Sequence, residues 1–204
     1  MEAHTRVSEE DVDLFIKPSR LIICGFSNSG KTYLTSLIVK KYADRFEKIV
    51  CIGGDLSNDK VERDDEFQPF GHNLDGGLLL IVDDSILNKN RMQLCSSVFT
   101  RGRHEKISII LISQSLYPNC PHFRMCALNA SHYIIFRTRD MSQISRFSTT
   151  FVQSDKKNEF LSLYRKEVLG RKYGYIMLDF TQDFNSPLCL RSDITGDCER
   201  AFLL

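Results

Sequence analysis

No stretch of this 204-residue chain reaches the run of about 20 apolar residues that a membrane-crossing helix requires. No membrane-crossing helix is therefore expected in it. The opening residues Met1-Glu2-Ala3-His4-Thr5-Arg6 lack the apolar core of a secretion signal. The expectation is an intracellular protein with no membrane partner. An excess of one charge is also missing: Lys and Arg number 27, Asp and Glu 26, for a net charge of +1. No global basic field recruits nucleic acid, so any DNA contact must come from a local patch or from an assembled ring. Paired cysteines are lacking too. The seven cysteines are an odd number and are scattered, and Cys24 and Cys51 fall in apolar runs as buried thiols. Cys120-Pro121-His122 with Cys126 and His132 has metal-ligand chemistry, but its spacing fits no compact cysteine pair of a zinc site. There is no repeat, low-complexity segment or linker.

What is present is ordinary for a globular protein, with 42% hydrophobic and 26% charged residues. The length suits one domain over 1–204, with a core at about 19–180. Gly25-Phe26-Ser27-Asn28-Ser29-Gly30-Lys31-Thr32 matches G-x-x-x-x-G-K-[ST]. The apolar run Leu21–Cys24 precedes it and the helical pattern Tyr33–Val39 follows. That is the strand–loop–helix context of a phosphate-binding loop. Glycines at 25 and 30 let backbone N–H groups curl around a phosphate, and the helix N-terminus adds positive partial charge. Lys31 would reach the β- and γ-phosphates and the Thr32 hydroxyl would hold Mg²⁺, with Asn28, Ser29 and Tyr33 in the same nucleotide-binding segment.

The rest of the chain alternates strands and helices. A short helix is expected at 8–16, with Ser8 as N-cap and Asp11 in its first turn, ended by Pro18. The helix after the phosphate loop should run to about Tyr42. Strands are expected at Lys48–Ile52, Leu78–Val82, Ile107–Ile112 and His132–Phe136, with a last one at Tyr175–Leu178. Helices are expected at Asn88–Thr100 and 155–169, and residues 55–77 read as a long acidic loop. This alternation implies an α/β fold of the P-loop NTPase type, with a mostly parallel central sheet and helices on both faces.

Two further constellations carry chemistry. The run Leu78–Val82 ends in Asp83-Asp84-Ser85. An acid at the carboxyl end of a buried strand is the Walker B arrangement, in which Asp83 would hold Mg²⁺ through water. Asp84 would orient and deprotonate an attacking water, although it is one methylene shorter than the usual Glu. Strand Ile107–Ile112 ends in Ser113-Gln114. Gln114 is either a γ-phosphate sensor at the ligand-binding edge of the sheet or a structural strand cap. Arg101 and Arg103 precede that strand, at the opposite edge from the phosphate loop. An arginine there suits a neighbour's nucleotide, a DNA phosphate, or a solvated turn.

The order GFSNSGKT, LLLIVDDS, TRGRHEKISIILISQSLYP and NASHYIIFR resembles the viral genome-packaging ATPases of the FtsK–HerA superfamily. The likeness is greatest to the poxvirus-type members, which occur in large DNA viruses, virophages and Polinton (Maverick) elements. It spans about Leu21 to Leu178. The resemblance implies a RecA-like ATPase of the ASCE group. In it Gly25, Gly30, Lys31 and Thr32 form Walker A, Asp83 and Asp84 are the Walker B acids, and Gln114 is the sensor on a strand inserted between the first and third. It makes Arg103, or else Arg101, an arginine finger acting on the next subunit. Arg124 and Asn129 echo the family pattern without an assigned role. The implied cofactors are ATP and Mg²⁺. The implied partners are double-stranded DNA, other copies of the chain in a ring, and capsid or portal proteins at the site of virion assembly. Lys156, Lys157, Arg171 and Lys172 are either DNA contacts facing a ring pore or solvated helix ends.

Two rival readings share the phosphate loop. A small P-loop kinase needs a lid with clustered arginines, which does not stand out. A nucleotide-dependent binding switch or assembly factor needs no working base, so Asp84 separates it from a motor.

Overall fold

The computed structural model describes residues 13–54, 56, 58–72, 74–83, 88–183, 185–195 and 199–202. The helix expected at 8–16 lies mostly outside the described residues; the part that is described, Asp13–Ile16, runs through turns and bends instead.

In chain order the elements are β1 (Arg20–Cys24), α1 (Lys31–Tyr42), β2 (Lys48–Ile52), β3 (Glu62–Arg63), β4 (Leu78–Val82), α2 (Lys89–Arg101), β5 (Ile107–Ser113), α3 (Pro121–Asn129), β6 (His132–Phe136), α4 (Met141–Phe151), α5 (Lys157–Tyr164), β7 (Tyr175–Asp179), β8 (Leu190–Ser192) and β9 (Arg200–Phe202). A turn of π-helix, Arg165–Leu169, extends α5. The strands make one nine-stranded sheet in the order β3-β2-β4-β5-β1-β6-β7-β8-β9. Pairing is parallel from β3 to β6 and antiparallel from β6 to β9.

The sheet is buried on both faces, as its continuous apolar strands require. Alternate side chains feed two cores. Ile22, Val50, Leu80 and Ile109 face α2, α3, α4 and α5. Leu21, Ile23, Leu79 and Ile110 face α1, where Leu34, Ile38 and Val39 cover them. Asn88 caps α2 by accepting from the Arg91 N–H, and Asp140 caps α4 by accepting from the Ser142 N–H.

Two expectations need correction. The segment 55–77 is not loop throughout, because Glu62–Arg63 pairs in parallel with β2 as a short edge strand. Tyr175–Asp179 is not the last strand, since β8 and β9 continue the sheet beyond it. The segment 155–169 is helical as expected, as a 3-10 turn, Ser154–Lys156, followed by α5 and the π turn.

Candidate nucleotide site

The phosphate loop leaves β1 at Cys24 and is tied to the strands on either side. Gly25 N–H donates to the Ser113 carbonyl at the end of β5 (3.1 Å), and Phe26 N–H to the Arg137 carbonyl beyond β6 (3.1 Å). A side chain at Gly25 would put its Cβ 2.5 Å from Phe136 Cβ and 2.7 Å from Ser29 Oγ, so only glycine lets the loop lie this close to β6. The curl itself uses left-handed backbone at Asn28 (φ 63°) and Gly30 (φ 104°). Asn tolerates that region better than most residues.

Lys31 opens α1 and is buried, with 8% of its surface exposed. Its ammonium donates to the carbonyls of Gly25 (2.8 Å) and Phe26 (2.9 Å), inside the curl where a phosphate oxygen would meet it. Ser29 Oγ is buried beside it and has no hydrogen-bond partner among the described residues. A buried hydroxyl without a partner costs about 1–3 kcal/mol, and an anion in the cradle would satisfy it. Thr32 and Tyr33 are both exposed at the start of α1. The residues present therefore fit a polyphosphate. Cys24, under the loop, is no nucleophile, because burial pushes its thiol up to about 12.

Asp83 follows β4 and its N–H donates to the Ile52 carbonyl of β2 (3.0 Å). The Gly53-Gly54 pair packs on it. A Cβ on Gly54 would stand 2.8 Å from Asp83 Cβ, and one on Gly53 2.3 Å from the Asp83 carbonyl oxygen. Both glycines also hold φ of 67°. The acidic segment 55–77, which the sequence left without a role, braces this corner. Asp65 accepts from Gly53 N–H (2.7 Å) and pairs with Arg91 of α2 (3.1 Å). The Gly53 hydrogen bond, and then the Arg91 charge, hold the Asp65 carboxyl below its usual range. Thr32 and Asp83 supply oxygen donors of the kind Mg²⁺ takes, at the carboxyl ends of neighbouring parts of the sheet. Asp84 lies outside the described residues.

β5 stands between β4 and β1, so Gln114, just past its end, lies between the phosphate loop and Asp83. The Ser27 hydroxyl reaches Gln114 Oε1 at 3.4 Å, a long contact that joins the amide to the loop. At the other end of β5, α2 passes through the turn Gly102–Glu105. Gly102 is buried against Val98 and Ile107, which throws Arg101 and Arg103 outward. The two arginines differ. The Arg101 guanidinium stacks over Phe70 at 4.7 Å. Arg103 lies close enough to Arg20, the first residue of β1, for its charge to add to burial in lowering the Arg20 pKa. Arg20 and the phosphate loop occupy opposite ends of β1, so Arg103 is remote from the phosphate loop of its own chain.

The remaining candidates are dispersed. Lys156 bonds Asn185 (3.0 Å), Lys157 bonds Thr149 (2.7 Å), and Arg171 pairs with Asp193 (3.1 Å). The Asn129 amide donates to the Met125 carbonyl within α3. His132 pairs with Asp179 (3.3 Å) rather than joining Cys120 and Cys126, and no metal-binding group of three is found among the described residues. No helix among the described residues is long and apolar enough to cross a membrane.

This sheet order, with its phosphate loop after β1 and an acid after β4, is the α/β P-loop NTPase fold. No family model matches the chain, and no curated protein sequence matches it. Among solved structures it is similar to the genome packaging NTPase B204 from Sulfolobus turreted icosahedral virus 2. In complex with ATP-gammaS, that protein gives a TM-score of 0.57 at 16% identity, over 80% of this chain and 93% of B204. With sulfate the values are 0.57 and 19%, over 82% and 95%. B204, the DNA-packaging ATPase from Sulfolobus Turreted Icosahedral Virus, gives 0.53 and 17%, over 81% and 94%. At these identities the likeness is one of fold.

Proposed function

We propose that this chain is an ATP-hydrolysing motor that moves double-stranded DNA into a viral capsid, as one domain of the FtsK–HerA superfamily related to the poxvirus-type packaging ATPases. The observation that carries the reading is β5, inserted between β4 and β1, with Gln114 at its nucleotide end and Arg103 at its far end. The fold shared with the packaging NTPase B204 supports it.

In this reading Lys31 and the loop N–H groups bind the β- and γ-phosphates of ATP. Thr32 and Asp83 would hold Mg²⁺, which would supply positive charge against the phosphates. Asp84 orients the attacking water and takes its proton. Gln114 contacts the γ-phosphate or that water and transmits its loss to β5. Arg101 is occupied by Phe70, so Arg103 is the arginine presented to the neighbouring subunit's γ-phosphate in a ring of copies. Capsid or portal proteins would anchor the ring during virion assembly inside the host cell.

The test is steady-state ATP hydrolysis against protein concentration, with and without linear double-stranded DNA, and with Lys31→Ala as the blank. A ring motor gives a rate per subunit that rises with concentration and with DNA. A flat rate indifferent to DNA contradicts the proposal and indicates a self-contained NTPase or kinase. Binding of ATP with no Lys31-dependent hydrolysis, with or without DNA, favours a nucleotide-dependent switch.

A further inference from the structure

Tyr173 is a large aromatic side chain left 58% exposed beside the phosphate loop. Its Cδ1 lies 3.5 Å, and its Cβ 3.7 Å, from where a Cβ on Gly30 would stand. It belongs to the turn 170–174 between the π turn and β7, and that turn is fixed from several sides. Gly170 N–H donates to the Arg165 carbonyl (3.0 Å), and Arg171 pairs with Glu167 (3.3 Å) and Asp193 (3.1 Å). Gly174 lies so close to the π turn that a Cβ there would sit 2.1 Å from the Glu167 carbonyl oxygen. The next residue, Tyr175, packs its ring on Phe136 at 5.1 Å, and Phe136 is the residue against which Gly25 and Gly30 lie. Tyr173 is thus an exposed ring on a braced wall of the loop.

The direction of a bound triphosphate follows from the sheet. Gln114 and Asp83 stand on the β5 and β4 side of the loop, and they define the end where the γ-phosphate belongs. The nucleoside end then leaves on the other side, toward β6 and β7. That is the side of Tyr173. The neighbouring cation, Lys172, has its Nζ 5.3 Å from the Tyr173 ring on a long exposed side chain that can swing aside.

We propose that Tyr173 is the platform on which the base of a bound nucleoside triphosphate stacks, making the turn 170–174 the nucleoside subsite of the phosphate loop. This rests on the nucleotide-binding part of the function proposed above. Stacking needs only a π-face, so the subsite accepts any base and favours the larger purines.

The experiment measures binding of Mg²⁺-ATPγS and of Mg²⁺-tripolyphosphate, which lacks base and ribose, to wild type, Tyr173→Ala, Tyr173→Phe and Lys31→Ala. Tyr173→Ala should weaken ATPγS about tenfold and leave tripolyphosphate unchanged, and Tyr173→Phe should keep both. Equal weakening of both probes in Tyr173→Ala, or no weakening, overturns the subsite. So does a Tyr173→Ala variant that loses only its response to DNA. Wild-type protein that binds neither probe in a Lys31-dependent way fails at the phosphate loop itself, and the subsite falls with it.

Discussion

From β3 to β6 the strands run parallel, and the inner ones bury almost only aliphatic side chains; from β7 to β9 they run antiparallel and bury charge. Arg191 of β8 is 1% exposed and bonds Asp179 of β7 (3.0 Å) and Glu199 (3.0 Å). Beside it Arg200 of β9 pairs with Glu167 (2.8 Å) and Asp193 (2.7 Å), and Arg171 joins the same two acids. The difference separates two jobs. The parallel part is held by non-directional burial, which leaves its polar groups free to gather at the carboxyl ends of the strands as a site. The antiparallel part is held by directional ion pairs whose loss leaves buried charge behind. It also braces the wall that carries Tyr173.

The comparison breaks if the two parts respond alike to mutation. The largest expected effect is on chemistry in the parallel part. Lys31→Ala should lower ATP hydrolysis about 100-fold or more. Its melting temperature should fall less than that of Arg191→Met, because the loop stays tied to its flanking strands by the Gly25 and Phe26 N–H bonds to the Ser113 and Arg137 carbonyls. Next, Arg191→Met should cost about 3–5 kcal/mol in urea unfolding, as breaking a buried pair does. Asp179 and Glu199 would lose the Arg191 guanidinium, Asp179 keeping only its contact with His132 among the ion pairs described. Nucleotide affinity of the fraction that remains folded should change far less than it does in Lys31→Ala.

The smallest expected effect is of pH. Burial alone would raise the Asp179 carboxyl, but the hydrogen bond and charge of His132, together with the Thr181 hydrogen bonds, outweigh it and hold the group below its ordinary value. A depressed carboxyl stabilises the fold above its unfolded pKa, about 3.9. That contribution is lost as pH falls through the folded value. The urea midpoint should therefore drop below about pH 4, and Asp179→Asn should flatten that part of the profile. An unchanged slope in Asp179→Asn would remove the ionic edge from the account of acid stability.

The same divide explains what was legible in the sequence. Runs such as Leu78–Val82 and Leu21–Cys24 declare themselves, because strands buried on both faces are continuously apolar. The motif residues at their ends follow from the runs, and β5 does lie between β4 and β1 as the family resemblance implied. β8 and β9 were not legible, since a three-residue strand with a buried arginine carries no strand pattern. β3 was missed because both its residues are charged and exposed. α3 was missed because only two of its nine residues, Phe123 and Cys126, are buried, too few to draw an apolar stripe, and α4 because it is rich in Ser and Thr, poor helix formers. Its cap Asp140 and the spacing of Ile144, Phe147 and Phe151 were the available signals. The Asp65–Arg91 brace on the Asp83 corner joins residues far apart in sequence, and no local pattern announces it.

The most direct test of the central claim mixes two inactive subunits. On the proposed reading, Lys31→Ala lacks the phosphate-binding lysine but keeps Arg103, and Arg103→Ala keeps its own nucleotide site but lacks the arginine offered to its neighbour. Each alone should hydrolyse ATP at background rate. Mixed in equal amounts with linear double-stranded DNA, they should recover a clear fraction of the wild-type rate, because some interfaces then join an intact site to an intact arginine. An Arg103→Ala protein that keeps full activity alone, or a mixture that stays at background, would contradict a site completed by the neighbouring copy.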